Sequence, residues 1–353
     1  MKVAVVSIAK NEEKFVKRWK ESANDADALY ILDTGSSDNT VSIAKELGIN
    51  TYVADIKPWH FANARNMLLD MLPDDIDWII NLDLDEVLVA GWREELEKVP
   101  NDGSITRPRY LYTWNWNEDG TPGLQYSGDK IVRRHSHRWK GACHEVNVTQ
   151  PGYEERQMFC GLKIEHYADN TKSRGSYLEL LELDVQEDPH NDRNRYYYAR
   201  ELFYRGRFEE AIVQFKNHLS MPEARWNAER AWSMRYLAKM IPHERESWLL
   251  KACAEYPSGR EPWVDLAQYY YSLNDFAGCL FAANKALAIT EKEGLYLNEG
   301  EAWGWIPHDL AAIAAYNLGS YHYAYGQGAI AMSMNPTEPR LQKNLEFYGE
   351  KIN

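Results

Sequence analysis

The first half of the chain alternates short apolar runs with amphipathic segments. The apolar, β-branched run Val3 to Ala9 precedes KNEEKFVKRWKES, whose apolar residues have helical spacing. The same order of strand and helix recurs: a strand ends at Leu32, and a Gly/Ser/Asp turn leads to a helix from about Thr40 to Leu47. Two further strands, in NTYVADI and DWIINLDL, enclose the helix FANARNMLLDML. The pattern predicts a mostly parallel α/β sheet that binds ligands beyond the carboxyl ends of its strands.

The pattern changes twice further along the chain. Between Ser104 and Tyr167 short strands alternate with turns, which predicts a β-rich completion of the same domain. After about Ser173 strand signals disappear and helical hairpins replace them. A chain of 353 residues is long enough for two cores. We therefore predict an α/β domain over residues 1–172 and an all-helical domain over residues 173–353.

The helical half contains an internal repeat. YYYARELFYRGRFEEAIVQFKNHL is restated as WVDLAQYYYSLNDFAGCLFAANKAL, and Phe208 and Phe276 occupy matching places 68 residues apart. That spacing is twice the period of about 34 residues in tetratricopeptide repeats. Two degenerate copies complete the series, one of them after an insert from Glu291 to Trp305. A repeat domain of this kind offers a concave face to a peptide or protein partner, or to a second copy of the chain in a homodimer.

Charge and cysteine usage restrict the partners and the compartment. The formal net charge of −13 argues against nucleic acid as a general partner, although one basic run could act locally: Arg133, Arg134, Arg138 and Lys140. Four cysteines without a CxxC pair indicate a reducing, cytoplasmic setting. The apolar N-terminal run of seven residues is too short for a signal peptide, and no run reaches the ~18 residues of a membrane span. We expect a soluble protein.

Three carboxylates stand at the end of a predicted buried strand. In IINLDLDEVL, the strand Trp78 to Leu82 is followed by Asp83, Asp85 and Glu86. Carboxylates this close repel one another unless a positive group lies between them, and a metal ion is the expected group. Alternation places Asp83 and Asp85 on one side of the chain, and oxygen ligands favour Mg²⁺ or Mn²⁺. The alternative is a solvated acidic turn.

Four segments in this order carry a family resemblance: VVSIAKNEEKFVKRWKES, YILDTGSSDNTVSIAKE, FANARNMLLD and WIINLDLDEVL. Together they look like the nucleotide-sugar domain of family 2 glycosyltransferases, which have the GT-A fold, over roughly residues 2–170. The resemblance implies that Asp33 binds the nucleotide base. It also implies that Asp83 and Asp85 hold a metal bridging the two phosphates of the donor, with Asp85 as the more direct ligand.

The same resemblance suggests further donor-binding residues. Arg65 and Asn66 occupy positions at which family members have residues near the nucleotide or its phosphates. The planar guanidinium of an arginine matches the geometry of a diphosphate. Asn11 and Glu12, after the first strand, would face the same crevice. The alternative for Arg65 is a salt-bridged surface residue, and for Asn11 and Glu12 an ordinary first helical turn.

A second cluster lies in RRHSHRWKGACHEVNV. Its Trp-Lys-Gly-x-x-His-Glu core resembles a segment of those family members that also carry helical repeats, often in bacteria and phages. Sugar transfer needs a base for the acceptor proton, and Glu145 is the candidate. Many relatives have a Glu-Asp pair here, so His144 is an alternative base. Both could instead only hydrogen-bond within the sheet.

Three more side chains have expected roles. The resemblance suggests that His166, in IEHY, contacts the metal or the diphosphate, although an ordinary core or surface histidine is the alternative. Arg133 and Arg134 could bind the diphosphate leaving group, or form a solvated strand face.

The resemblance implies an inverting glycosyltransferase that uses a UDP-sugar, and the acidic motif adds the expectation of Mn²⁺ or Mg²⁺. The two-domain plan is similar to bacterial and phage peptide S- and O-glycosyltransferases of the sublancin type, so a peptide or protein side chain is the expected acceptor. A cell-surface glycan or a modified DNA base is an alternative acceptor. A nucleotidyltransferase and a non-catalytic repeat scaffold are the alternatives from other classes.

Overall fold

The computed structural model describes residues 1–117, 119–169 and 177–352. The chain divides into two compact units, Met1–Asp184 and Val185–Asn353. The boundary that we predicted between residues 172 and 173 lies outside the described residues.

The first unit begins with alternating strands and helices and ends with short strands. Its elements in chain order are β1 (Val3–Ala9), α1 (Glu13–Ser22), β2 (Ala28–Asp33), α2 (Thr40–Glu46), β3 (Asn50–Val53), α3 (Phe61–Asp70), β4 (Trp78–Asn81), β5 (Glu86–Leu88), α4 (Trp92–Glu97), β6 (Arg107–Thr113), β7 (Gln125–Gly128), β8 (Ile131–Arg133), β9 (His137–Lys140), β10 (Val146–Thr149), β11 (Gln157–His166) and α5 (Tyr177–Glu187).

The central sheet has five strands in the order β3-β2-β1-β4-β8. The first four are parallel, and β8 runs antiparallel to β4. Strand β4 is buried along its whole length because apolar side chains cover both faces of the sheet. The predicted mostly parallel α/β sheet is confirmed, and β1, β2 and β4 end at the same edge.

A second sheet and a short ribbon complete this unit. The second sheet has the order β5-β11-β6-β7, and β9 pairs with β10. Strand β11 runs antiparallel to β5, so that His166 lies opposite Glu86. The chain thus returns next to the acids that follow β4. The indole of Trp19 on α1 donates to the carbonyl of Leu82 at 3.0 Å and fixes the same end of β4.

The second unit consists of paired helices. Its described elements are α6 (Asp192–Tyr204), α7 (Phe208–Ser220), α8 (Asn227–Met240), α9 (Arg245–Glu255), α10 (Arg260–Ser272), α11 (Phe276–Leu287), α12 (Ile306–Asn317), α13 (Tyr321–Met334) and α14 (Pro339–Glu350), with 3-10 turns at Pro242–Glu244 and Gly300–Trp303.

The predicted helical repeat is confirmed in this unit. Phe208 and Phe276 each begin the second helix of a pair, as their matching places in the sequence required. The small residues Ala199 and Ala211 are fully buried where α6 and α7 pack together. The insert predicted from Glu291 to Trp305 separates α11 from α12. Within the described residues, no helix combines the length and the apolar character that a bilayer span requires.

Candidate active site

Two basic side chains neutralise the acids at the end of β4. Oδ1 of Asp83 accepts from Nη2 of Arg65 at 2.7 Å, and its Oδ2 accepts from Nζ of Lys130 at 2.6 Å. The same Nζ donates to Oε1 of Glu86 at 2.8 Å. Lys130 therefore lies between Asp83 and Glu86 and supplies a positive group between two of the three acids. Both oxygens of Asp83 thus accept from basic groups, and the metal contact expected for Asp83 stays a prediction.

Burial makes these charges depend on one another. Burial favours the neutral form of Asp83, but Arg65 and Lys130 outweigh it and hold the Asp83 pKa well below its usual value. Burial also disfavours the charged form of Lys130, but Asp83 and Glu86 outweigh it and raise the Lys130 pKa well above its usual value. For Glu86, burial raises the pKa and prevails over the opposing effect of Lys130. Glu86 is the acid in this group that accepts a proton most readily.

Glu86 also shapes the turn that carries Asp85. It is 1% exposed and accepts hydrogen bonds from the hydroxyl of Tyr112 at 2.6 Å and from the backbone N–H of Asp83 at 2.9 Å. The backbone N–H of Glu86 in turn donates to the carbonyl of Asp83 at 2.9 Å. The closed turn keeps Leu84 buried. Asp85 lies at the tip of this turn.

Asp85 faces His166 from β11. The distance from Oδ2 of Asp85 to Nε2 of His166 is 3.4 Å, and Nδ1 of His166 lies 2.9 Å from the carbonyl of Trp114. A carbonyl can only accept, so Nδ1 carries the proton of that bond, and in the neutral ring Nε2 keeps its lone pair. Burial lowers the His166 pKa, but Asp85 and the carbonyl outweigh it and raise the pKa. One nitrogen and one carboxylate here suit a divalent cation.

Arg65 links this cluster to Glu145. Its Nε donates to Oε1 of Glu145 at 2.8 Å, while its Nη2 holds Asp83. The guanidinium lies 4.8 Å from the ring centroid of Trp139, and Arg65 is almost fully buried. Asn66, predicted to bind the donor, instead exchanges two hydrogen bonds with the backbone of Trp139, at 2.8 and 2.9 Å. Asn66 thereby joins α3 to β9.

The loop that carries Glu145 is fixed from two sides. The first turn of α3 donates from Phe61 to the carbonyl of Ala142 at 3.0 Å. Asp184 on α5 accepts from the N–H groups of Ala142 and Cys143, the latter at 3.1 Å. Burial raises the Asp184 pKa and prevails over these bonds. Sequence reasoning missed Asp184, which stands far along the chain in a helix without a motif.

His144 and Glu145 point to different partners. Nε2 of His144 lies 2.7 Å from the hydroxyl of Tyr177, and the two rings meet edge to face at 5.7 Å. Glu145 instead joins Arg65 and, through it, Asp83. The arrangement brings Glu145, rather than His144, into the acidic cluster.

The other predicted donor-binding residues, Asn11, Glu12 and Asp33, form a second group at the same edge of the sheet. Asp33 is 1% exposed and accepts from the N–H groups of Gly35 and Ser36 at 3.0 and 2.9 Å. Asn11 has a φ of 58° and accepts from the N–H of Ser37 at 2.7 Å. These bonds join the loop after β1 to the loop after β2.

Glu12 begins the turn after Asn11. Its backbone N–H donates to the hydroxyl of Thr40 at 2.8 Å, and the residue is 9% exposed. Asn11, Glu12 and Asp33 thus follow the ends of neighbouring parallel strands, as the sequence predicted.

Arg133 and Arg134 lie at the opposite end of β4. Arg133 pairs with Trp78, the first residue of that strand, and its guanidinium lies 5.7 Å from the Trp78 ring centroid. Arg134 donates to the carbonyl of Leu72 at 2.9 Å. The structure does not bring either of them to Asp83, which follows the other end of β4. We remove both from the predicted donor-binding residues.

Lys130 and Tyr112 are the members of the cluster that sequence reasoning missed. Lys130 precedes β8 and lies 47 residues from Asp83, and Tyr112 lies on β6. Neither belongs to a short motif. The register of β4 with β8 brings Lys130 to the acids, because Ile80 pairs with the residue that follows it.

Comparisons with known proteins match part of the first unit. Residues 4–140 match the family model described as Glycosyl transferase family 2. Uncharacterized glycosyltransferases of Rickettsia conorii and Rickettsia felis are each 33% identical over 154 residues, which is 42% of this chain and 52% of theirs. The chain spans about half the length of these curated relatives.

Two further matches are proteins whose names contain the term TPR. A TPR repeat-containing protein of Synechococcus elongatus is 36% identical over 96 residues, covering 26% of this chain and 23% of that protein. The solved structure of YrrB, a TPR protein, is 16% identical to this chain. The alignment covers 48% of this chain and 82% of YrrB, with a TM-score of 0.39.

Proposed function

We propose that this chain, whose residues 4–140 match the family 2 glycosyltransferase model, transfers a sugar from a UDP-sugar to a side chain of a peptide or protein. The observation that carries the proposal is the double contact of Arg65, which holds Asp83 and Glu145 on one guanidinium. This contact joins the end of a parallel strand, where such sheets bind nucleotides, to a candidate base on a separate loop.

We assign donor binding to the loops at the carboxyl edge of the sheet. Asp33 and Asn11 shape the two loops after β1 and β2, and we propose that Asp33 contacts the base. Arg65 and Lys130 place two positive charges beside the end of β4, where the diphosphate would bind. Positive groups fixed before the reaction stabilise the charge that develops on a departing diphosphate.

Glu145 acts as the base in this proposal. The acceptor oxygen or sulfur forms a bond to the anomeric carbon, the bond from that carbon to the diphosphate oxygen breaks, and the acceptor proton moves to Glu145. One displacement inverts the anomeric centre. Support for Glu145 over His144 comes from its contact with Arg65, whereas His144 is bound to Tyr177.

Asp85 and His166 would hold a divalent cation. Their facing oxygen and nitrogen, 3.4 Å apart, form a mixed ligand pair. Because imidazole is a poor ligand for Mg²⁺, we propose Mn²⁺ as the preferred ion. When bound, such a cation supplies further neutralisation of the diphosphate leaving group.

The half-exposed ring of Trp114 lies next to this pair, with its centroid 4.8 Å from that of His166. We propose that this ring stacks on a bound sugar. The acceptor peptide is assigned to the helical repeats, since stacked helix pairs present extended binding surfaces.

Release of nucleoside diphosphate tests the proposal. UDP- and GDP-sugars would be incubated with the protein and Mn²⁺, Mg²⁺ or EDTA, and nucleotide products and pyrophosphate would be measured. We expect release of UDP from one donor, greatest with Mn²⁺ and lost in Asp85→Ala and Glu145→Gln. The exposed residues Asp25 and Glu21 provide matched controls as Asp25→Ala and Glu21→Gln.

Three outcomes would contradict the proposal. Release of pyrophosphate would indicate a nucleotidyltransferase. Full activity of Glu145→Gln with loss in His144→Gln would transfer the base role to His144. Absence of both donor turnover and donor binding by calorimetry would indicate a scaffold.

A further inference from the structure

Three consecutive helices of the second unit bring together three potential metal ligands. Asp192 begins α6, His218 lies in the last turn of α7, and Glu229 lies in the first turn of α8. One ligand atom from each lies within 4.8 Å of the other two. His218 and Glu229 are buried, whereas Asp192 is half-buried and gives the cluster a side toward solvent.

His218 has an unused nitrogen directed into this cluster. Its Nδ1 lies 2.9 Å from the hydroxyl of Ser233. Its Nε2 is fully buried and makes no hydrogen bond within the described part of the chain, although it lies 3.5 Å from Oε1 of Glu229. Buried polar atoms normally have a binding partner, so we expect one at this nitrogen.

The distances suit a metal as that partner. With metal–ligand bonds of 2.0–2.1 Å, neighbouring ligand atoms of a tetrahedral site lie about 3.3 Å apart, close to the observed separation of Nε2 and Oε1. Asp192 needs only a small movement to complete the set, since its exposed side leaves it room.

Surrounding side chains orient the two buried ligands. The hydroxyl of Tyr296 donates to Oε2 of Glu229 at 2.8 Å, which leaves Oε1 directed at His218. The hydroxyl of Ser233 can accept from Nδ1–H, which selects the tautomer with a free lone pair on Nε2. The ring of Tyr196 lies 5.7 Å from that of His218 and limits access of water.

We propose that Asp192, His218 and Glu229 bind a zinc-type divalent transition-metal ion. An imidazole with two carboxylates favours zinc over Mg²⁺ or Ca²⁺, which prefer oxygen ligands alone. The ion joins α6, α7 and α8 and thereby stabilises the beginning of the repeat unit. These three residues belong to the second unit, whereas Asp85 and His166 belong to the first. The competing explanation is a buried His218–Glu229 ion pair that needs no metal.

Calorimetric titration with Zn²⁺ tests the site on the full-length chain. An Asp85→Ala background removes one ligand of the donor-site cation, so that the measurement is independent of transferase activity. We expect one tight zinc ion per chain and a zinc-dependent rise in the unfolding temperature. Adding Asp192→Asn, a nearly isosteric change at a partly exposed position, should weaken zinc binding at least tenfold and abolish that rise.

The controls separate metal ligation from effects on folding. Glu209→Gln, an exposed change in the first turn of α7, should leave zinc binding unaltered. His218→Gln should also remove the tight site; if it fails to fold, Asp192→Asn alone decides. Equal zinc affinity and stoichiometry with and without Asp192→Asn would overturn the proposal. So would the absence of zinc binding to the folded Asp85→Ala chain, which would leave the ion pair as the explanation.

Discussion

Lys130 provides the sharpest test of how the acidic cluster is stabilised. Its Nζ makes two charge-assisted hydrogen bonds, of 2.6 Å to Asp83 and 2.8 Å to Glu86. Lys130→Met keeps much of the aliphatic stem and removes the charge. Asp83 then retains Arg65, whereas Glu86 retains only uncharged donors, among them Tyr112.

The expected cost follows from these contacts. Glu86 is 1% exposed, and leaving a buried charge without its charged partner typically costs about 3–5 kcal/mol, whereas the half-buried Asp83 keeps Arg65. Glu86 can limit the loss by taking up a proton, because burial already raises its pKa. We therefore expect the free energy of unfolding to fall by about 3 kcal/mol at pH 7.

The pH dependence has a definite sign. Removal of Lys130 raises the folded-state pKa of Glu86 further above its unfolded value, so the folded variant binds a proton that the unfolded chain releases. Stability from such a group is present at low pH and lost as pH rises through the folded pKa. The deficit of Lys130→Met relative to the natural protein should therefore shrink between pH 7 and pH 5.

Urea denaturation combined with hydrogen exchange of the peptides that contain β4 would measure the loss, since a chain with two units need not unfold in one transition. Glu86→Gln added to Lys130→Met should restore part of the stability, because it removes the unpaired charge. Lys163→Met, at an exposed lysine of β11, is the matched control. A loss below about 0.5 kcal/mol for Lys130→Met, or no rescue by Glu86→Gln, would refute this account of the cluster.

Three further predictions follow from the same unit. Arg65→Lys loses the planar fork that holds Asp83 and Glu145 together, so donor turnover should fall at least tenfold while circular dichroism stays unchanged; undiminished turnover would contradict the proposed role. Because the Asp83 pKa is depressed in the folded state, acid should destabilise this unit as pH falls below about 4, seen as a lower urea midpoint at pH 3 than at pH 6. Gly128→Ala places a Cβ 2.2 Å from the ring of Tyr110, so it should cost about 1–3 kcal/mol in thermal unfolding, whereas Gly294→Ala, with open space around it, should not.

The sequence predicted those features that depend on local periodicity. The apolar runs and helical spacing located β1, β2 and β4, and parallel pairing then brought Asp33 and Asp83 to one edge. Matching aromatic positions likewise located the helical repeat through Phe208 and Phe276.

Features that depend on the pairing of distant strands could not be predicted in this way. Lys130 reaches the acids only because β8 joins the sheet antiparallel to β4, and no local pattern fixes that pairing. For the same reason Arg133, the last residue of β8, lies at the far end of β4 although it is near Lys130 in sequence. The zinc-type cluster depends on three helices and has no metal-binding spacing in the sequence.

For the acidic motif of Asp83 and Asp85, residue type and spacing alone do not determine which carboxylate does what. Asp83 and Asp85 belong to one motif, but Asp83 contacts two basic groups, Arg65 and Lys130, whereas Asp85 lies at the tip of the turn against His166. A carboxylate whose two oxygens are both bound to fixed cations serves to hold those cations in place. A carboxylate beside an imidazole lone pair has an oxygen to offer to a mobile ion. The two carboxylates of the motif therefore have different neighbours, and the proposed metal role of Asp85 rests on that difference.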